Sequence, residues 1–333
     1  MAGGIEAIAA SISADLVRRL PRQNKKQREG LALLTATMLD VRSANLMDLS
    51  AWLPRAAERQ DMRYQWISRL LGNERIDSDW VMAPFAREVL QRTSAHGQRL
   101  VLIIDQTKAN DTQQAVVIAV RVGGRSLPIA WRVKETEGAI GFAEQKAALE
   151  VARGLLPEGA KVVLMGDRFY GSPDLIAWCR SAGWDWRVLS KADQLVIQDG
   201  GESTIAECFG RGERMLEGVE LTAKRVPTNV GMVHEEGHPE PWFIAMSDTP
   251  TTAKTFDYGS RWGIEAMFSD FKSRGFGIER SQLQRTDRMD RLILIMTLAL
   301  YWAVSTGMWA AENAALPAEK KRPALLRRRW LAA

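Results

Sequence analysis

"RLVLIID" (Arg99–Asp105) and "KVVLMGD" (Lys161–Asp167) decide how the middle of this chain folds. Each is a continuous apolar run that ends in a carboxylate. Such a run, bounded by polar residues, is expected of a strand buried on both faces. After the first, "AVVIAVRV" (Ala115–Val122) and "LPIAWRV" (Leu127–Val133) follow across "GGRS", so three strands joined by short turns are predicted. A helix over Phe142–Leu155 precedes the second run. A helix over Pro173–Ala182 and the strand "WDWRVLS" (Trp184–Ser190) follow it.

Three meandering strands and then helix–strand–helix–strand is the order of a ribonuclease-H-like mixed α/β sheet, although other α/β folds share parts of it. Upstream, residues 5–95 carry apolar residues three and four apart and read as helical. Within them, "RQDMRYQWISRLLGN" (Arg59–Asn73) is a basic amphipathic helix that either lies on a nucleic-acid backbone or simply has a wet face. Residues 192–250 are Gly-rich and acidic, with short alternating strands such as "VELTAKRV" and "PWFIAMS", and are expected to form a β-rich insertion. Helical character returns from Thr252 and runs through "DRLILIMTLALYWAVSTGMWA" (Asp290–Ala310). The expected organisation is a helical DNA-binding region over 1–97, the core over 98–191, the insertion over 192–250, the rest of the core over 251–315, and a basic tail over 316–333.

The 333 residues are 46% hydrophobic and 26% charged, ordinary for a globular protein. The apolar runs read as interrupted or too short to cross a bilayer, and no secretory signal is visible. Two cysteines, Cys179 and Cys208, are too few for a disulfide framework or a structural zinc site, so a reducing setting is expected. Net charge is +5, unevenly spread. Residues 1–99 hold 15 Lys/Arg against 11 Asp/Glu, residues 100–249 hold 16 against 21, and residues 250–333 hold 14 against 8. Basic ends around an acidic middle suit a polyanion held at the flanks of a carboxylate site, or are no more than solvated surface.

Asp105 and Asp167 end buried strands, where an unpaired charge is costly unless a cation offsets it. Mg²⁺ prefers a few carboxylate oxygens plus waters. A third carboxylate comes from "YGSRWGIEAMFSDFKSRGFGIE" (Tyr258–Glu279). At roughly 100° per residue, a continuous helix starting at Tyr258 puts Arg261, Glu265 and Lys272 within an arc of about 60° that includes Tyr258. Asp270 falls on another face and is set aside. Ile264, Met267, Phe268 and Phe271 form an adjoining apolar strip able to dock on a sheet. Gly259 and Gly263 cost such a helix stability but allow close backbone approach.

The set Tyr258-Arg261-Glu265-Lys272 resembles the Tyr-Arg-Glu-Lys signature of the insertion-sequence-4 family of DDE transposases. "IIDQT" resembles that family's first-Asp motif, and "MGDRFYG" its second, Asp-Arg followed by an aromatic. The resemblance covers about residues 30–310. It implies a ribonuclease-H-like core interrupted by a β-strand insertion, with Asp105, Asp167 and Glu265 holding two Mg²⁺ or Mn²⁺ ions. It further implies cleavage of double-stranded DNA at transposon terminal inverted repeats and joining of the 3′-OH ends to target DNA. A homodimer on DNA, no membrane, and a cytoplasmic, nucleoid-associated, prokaryotic setting follow from the same resemblance. Tyr258, Arg261 and Lys272 are then DNA contacts. Arg168 either contacts the scissile phosphate or pairs with a nearby carboxylate. Trp242 and Trp262 are candidates for stacking a displaced base, packing being the commoner role of tryptophan. Thr107 is expected to orient Asp105 or cap local backbone.

Other readings are a ribonuclease-H-like nuclease without strand transfer and a catalytically idle DNA-binding protein. "HEEGH" (His234–His238) fits the His-Glu-x-x-His pattern of zinc peptidases, but that chemistry needs a helix. Gly231, Gly237, Pro239 and Pro241 make this stretch a turn.

Overall fold

The computed structural model describes residues 2–313, apart from 56–58, 211, 213–214, 223 and 235–239. The basic tail expected over 316–333 and most of the His-Glu-x-x-His stretch lie outside the described residues.

Five helices come first: α1 (Ala2–Arg19), α2 (Lys25–Val41), α3 (Leu46–Trp52), α4 (Gln60–Leu71) and α5 (Ser78–Thr93). Side-chain oxygens start three of them. Asn24 accepts from the Lys26 N–H, Asn45 from Met47 and Asp48, and Asp77 from Trp80, each pairing N–H groups that a helix start leaves open. Next come β1 (Leu100–Lys108), β2 (Gln113–Val122), β3 (Arg125–Glu135), α6 (Phe142–Leu155), β4 (Val162–Gly166), α7 (Pro173–Ala182) and β5 (Asp185–Ser190). Ser172 caps α7 with Pro173 at its first position, and Gly183 ends it at φ 71°.

β1, β4 and β5 are parallel, β2 pairs antiparallel with β1 and β3 antiparallel with β2, giving the spatial order β3-β2-β1-β4-β5. This mixed sheet, preceded by helices, is consistent with a ribonuclease-H-like fold. The chain then forms β6 (Leu195–Gln198), β7 (Gly201–Thr204), α8 (Ile205–Gly210), β8 (Met215–Leu221), β9 (Val226–Val233) and β10 (Trp242–Met246). These strands do not make a separate sheet. β10 pairs antiparallel with β5, and β9, β8, β6 and β7 continue outward, so one ten-stranded sheet results.

The last elements are α9 (Thr252–Phe256), a 3-10 turn (Asp257–Trp262), α10 (Gly263–Phe271) and α11 (Thr286–Asn313). By length and composition, Thr286–Ala311 is long and apolar enough to cross a membrane, contrary to the expectation from the sequence. It is instead largely a core helix: Met289, Leu292–Met296 and Leu298–Tyr301 are buried, and α11 packs on α2, α4, α5 and β3. One apolar cluster therefore runs from the N-terminal helices into the sheet. Buried Arg291 strengthens the join by donating to the carbonyls of Leu71, at the end of α4, and Ile76.

Candidate active site

Parallel pairing sets Ile104 of β1 opposite Gly166 of β4, so Asp105 and Asp167 follow side by side. Asp167 lies just past β4 as expected, but Asp105 does not end its strand, because β1 stays paired with β2 as far as Lys108. The turn after β4 is built to hold Asp167. Its Oδ1 accepts from the Phe169 N–H at 2.8 Å, and its backbone carbonyl accepts from the Tyr170 N–H at 2.9 Å. Gly166 is required there, because a Cβ would lie 2.7 Å from the Tyr170 Cβ and 3.1 Å from the Ile104 Cγ2. The turn thus folds Tyr170 back over the strand end.

Asp105 is nearly enclosed, with its side chain 13% exposed. Its Oδ1 accepts from the Gln106 N–H at 2.8 Å and its Oδ2 from Arg261 Nη1 at 3.3 Å. Burial first, and then the Asp167 charge, push its carboxyl up to about 7, despite the Gln106 N–H and Arg261. Glu265 adds to the same upward push, which puts all three carboxylates in one electrostatic neighbourhood. Glu265 stands in the first turn of α10 and is 59% exposed. Its Oε1 accepts from Arg261 Nη2 at 2.8 Å. One guanidinium therefore bridges Asp105 and Glu265. Asp270, set aside as a ligand, pairs instead with Arg125 at 2.6 Å.

The continuous helix expected from Tyr258 onward does not form. Asp257–Trp262 is a 3-10 turn, the α-helix occupies only Gly263–Phe271, and Lys272 has left helical geometry at ψ −144°. The shared arc therefore holds for Arg261 and Glu265, which meet directly, and not for the ends of the set. Gly263 has a reason in the fold: a Cβ would lie 2.9 Å from Ser126 Oγ and 3.3 Å from the Arg125 carbonyl carbon. Its close approach is to the start of β3 rather than to a partner.

Tyr258 as a DNA contact is corrected by its burial. It is 3% exposed, and its hydroxyl donates to the Gly166 carbonyl at 3.2 Å. Its ring packs edge-on against Trp242 at 5.9 Å, and Trp242 packs edge-on against Trp262 at 5.4 Å. The phenol thus fastens the segment before α10 to the residue preceding Asp167. Tyr258→Phe is expected to lower stability by about 1 kcal/mol, the net worth of one hydrogen bond, and to leave DNA affinity unchanged. A urea melt and a filter-binding titration check the two halves; a tenfold loss of affinity would restore Tyr258 as a DNA contact.

The remaining expected contacts divide. Arg168 lies 3.5 Å from Glu240 with both side chains exposed, an ion pair of the DNA-free protein. Lys272 pairs with Glu279 at 3.7 Å. Trp242 is half-buried in the aromatic stack, whereas Trp262 is 43% exposed beside Arg261. Thr107 neither orients Asp105 nor caps backbone, since its buried Oγ1 has no hydrogen-bond partner.

Two groups escaped the sequence reading. The buried Tyr170 hydroxyl has no partner, and burial together with Asp105 and Asp167 holds it well above the usual phenol range. Arg187, in the middle of β5, donates to Asp248 at 3.0 Å and to Asp257 at 3.1 Å, anchoring the start of the 3-10 turn. A charged residue between the apolar Trp186 and Val188 of β5 was the available signal for Arg187. For Tyr170 there was none.

Three carboxylates, one within β1, one just past β4 and one on α10, are hard oxygen donors of the type Mg²⁺ or Mn²⁺ takes. Asp105, held up by burial and by Asp167, is a carboxylate whose ionised form a divalent cation would favour. Among the described residues, no three His, Cys, Asp or Glu side chains stand close enough together to hold an ion. Arg261 lies between two of the three instead.

A family model described as the transposase DDE domain matches residues 143–302, a stretch that contains Asp167 and Glu265. This match supports a DDE transposase. The chain is 28% identical over 165 residues to a 2-succinyl-5-enolpyruvyl-6-hydroxy-3-cyclohexene-1-carboxylate synthase of Shewanella oneidensis; the match covers 49% of this chain and 26% of that protein. The chain thus spans about a quarter of that relative's length. Among solved structures it is similar to Ciona intestinalis endonuclease V in complex with a 24mer DNA containing an inosine followed by a ribo-adenosine. That likeness has 13% identity and a TM-score of 0.29, and covers 63% of this chain and 99% of that one. It is too low to carry fold or function across.

Proposed function

We propose that this chain is a DNA transposase of the insertion-sequence-4 type, which cuts transposon ends and joins their 3′-OH groups to target DNA. The observation that supports this reading is the placing of Asp105 on β1 beside Asp167, just past the parallel strand β4, with Glu265 at the start of α10 acting on the Asp105 charge. Two of the three lie inside the stretch that matches a transposase DDE domain. These carboxylates would hold two Mg²⁺ or Mn²⁺ ions, which when bound supply an activated water or 3′-hydroxyl and a stabilised leaving oxygen.

The chain's own residues do the positioning. The turn at Phe169 and Tyr170 fixes Asp167, the Gln106 N–H orients Asp105, and Tyr258 ties the Glu265 segment to the end of β4. Enclosure of Asp105 keeps bulk water from one side of the site, while exposed Glu265 leaves the other side open to a strand of DNA. Arg168, Arg261 and Lys272 supply cations for its phosphates, and exposed Trp262 supplies a face on which an unpaired base can stack. Trp242 supports that face from behind. A homodimer on DNA, in the cytoplasm of a prokaryotic cell, belongs to the same reading.

The test is incubation with Mg²⁺ and duplex DNA ending in the element's inverted repeats, labelled at the 3′ strand, together with a target plasmid. Label joined to plasmid is expected. Cleavage without joining would make the protein a nuclease, and binding without any cut an idle DNA-binding protein.

A further inference from the structure

Arg261 is placed unusually for a residue meant only to touch DNA. Its side chain is 11% exposed, and its two terminal nitrogens donate to Asp105 Oδ2 at 3.3 Å and Glu265 Oε1 at 2.8 Å. Its buried Nε has no partner, so the fork is only partly satisfied where it sits. The guanidinium carbon lies 5.8 Å from the centre of the Tyr258 ring, which walls it on one side. On another side stands Glu265, exposed and one helical turn further on, so the Arg261–Glu265 contact can open by side-chain rotation alone.

We propose that Arg261 is an internal cation that holds Asp105 and Glu265 until a divalent ion takes their oxygens, and that its displacement delivers it to a DNA phosphate. This rests on the metal-dependent reading above. The two cations compete for the same atoms. Asp105, Asp167 and Glu265 would hold such an ion, and their oxygens, once given to it, would no longer be available to Arg261, whose guanidinium would then be left beside a like charge. Outward motion past Glu265 brings the fork to the open side of the site, where a polyanion lies. Other nearby cations have partners away from the carboxylates: Arg168 on Glu240, Arg121 on Ser260, Arg125 on Asp270 and Lys272 on Glu279. In the ion-free protein the bridge keeps two carboxylates together that would otherwise repel. In the ion-loaded protein the same residue becomes a phosphate contact, so that metal entry and DNA capture are linked.

Two measurements on the full chain without DNA decide this. First, arginine modification by phenylglyoxal, mapped by mass spectrometry, should proceed at Arg261 at least about fivefold faster in saturating Mn²⁺ than in chelator. Addition of a DNA duplex should slow it again. An unchanged rate on adding Mn²⁺ would mark Arg261 as a permanent bridge and overturn the proposal. Second, titration with Mn²⁺ followed by electron paramagnetic resonance should show Arg261→Met binding the ion about tenfold more tightly than the native protein, with Arg261→Lys close to native. Equal or weaker binding by Arg261→Met also overturns it. The Asp105→Asn/Glu265→Gln double variant should lose Mn²⁺ binding. If that variant binds as the native protein does, the metal-dependent reading fails, and the Arg261 proposal with it.

Discussion

Asp105→Asn and Glu265→Gln are each expected to cut DNA ending in the element's inverted repeats at least about 10³-fold more slowly than the native protein in Mg²⁺. Each replacement keeps the side-chain volume and one oxygen but removes the charge that holds a divalent ion. Loss of the several kcal/mol such an ion supplies corresponds to about three decades in rate, at 1.36 kcal/mol per decade. The fold should survive both changes. Asp105 already sits where burial, and then the neighbouring Asp167, favour its neutral form, and Glu265 is largely exposed. Thermal melts should therefore stay close to native while cleavage disappears. Asp270→Asn is the control, since Asp270 pairs with Arg125 away from the other carboxylates, and it should cut DNA at nearly the native rate. Retention of full cleavage by Asp105→Asn or Glu265→Gln, measured on a denaturing gel, would end the transposase assignment.

Arg187→Met should be the most destabilising single change outside the apolar core, by about 3 kcal/mol in urea unfolding at pH 7. The guanidinium is buried in β5 and joins Asp248, just past β10, to Asp257, at the head of the 3-10 turn. Breaking a buried pair by removing one partner leaves a charge without its counter-ion, and here two carboxylates lose one. The figure is set at the low end of the usual range because Asp257 is largely exposed and Asp248 keeps Arg99 at 3.1 Å. The effect should depend on pH in a defined sense. Burial alone would raise the Asp248 carboxyl, but its bonds to Arg187 and Arg99 outweigh this and leave it below its ordinary 3.8. A depressed carboxyl contributes stability above its unfolded value and loses it as pH falls through the folded one. The gap between native and Arg187→Met should thus be full at pH 5 and above and shrink in acid below 3.8. A gap that widened on acidification would mean Asp248 is not the partner that matters. DNA cleavage should also fall, because Asp257 starts the turn that carries Arg261 toward Asp105.

Much of the core was legible because its signals are local. An apolar run such as Leu100–Ile104 can only be satisfied by burial on both faces, and β1 and β4 fall where those runs do. The helices Phe142–Leu155 and Pro173–Ala182 carry their periodicity, and the second its cap and stop, within a few residues. The Tyr258–Glu279 segment was legible only in part. Its pattern fits one long helix, but Gly263 must sit against the start of β3 and Arg187 holds Asp257 from below. Those two contacts come from strands far away in sequence, and they favour a 3-10 turn before α10. Tyr258 then points inward to Gly166, although helical arithmetic had set it beside Glu265 on an outer face.

The sequence alone picked out the candidates for the chemistry: two carboxylates that follow buried apolar runs, and a third on a helix with an arginine one turn before it. Their types and order need no neighbours to be read. What those residues do to one another was decided only by tertiary structure. Parallel pairing of β1 with β4 brings Asp167 close enough to raise Asp105, and docking of α10 brings Arg261 between Asp105 and Glu265. Pairing β10 to β5 likewise joined the β-rich stretch expected over 192–250 to the same sheet. Charge interactions and strand partners depend on distance in space, which a linear pattern does not contain.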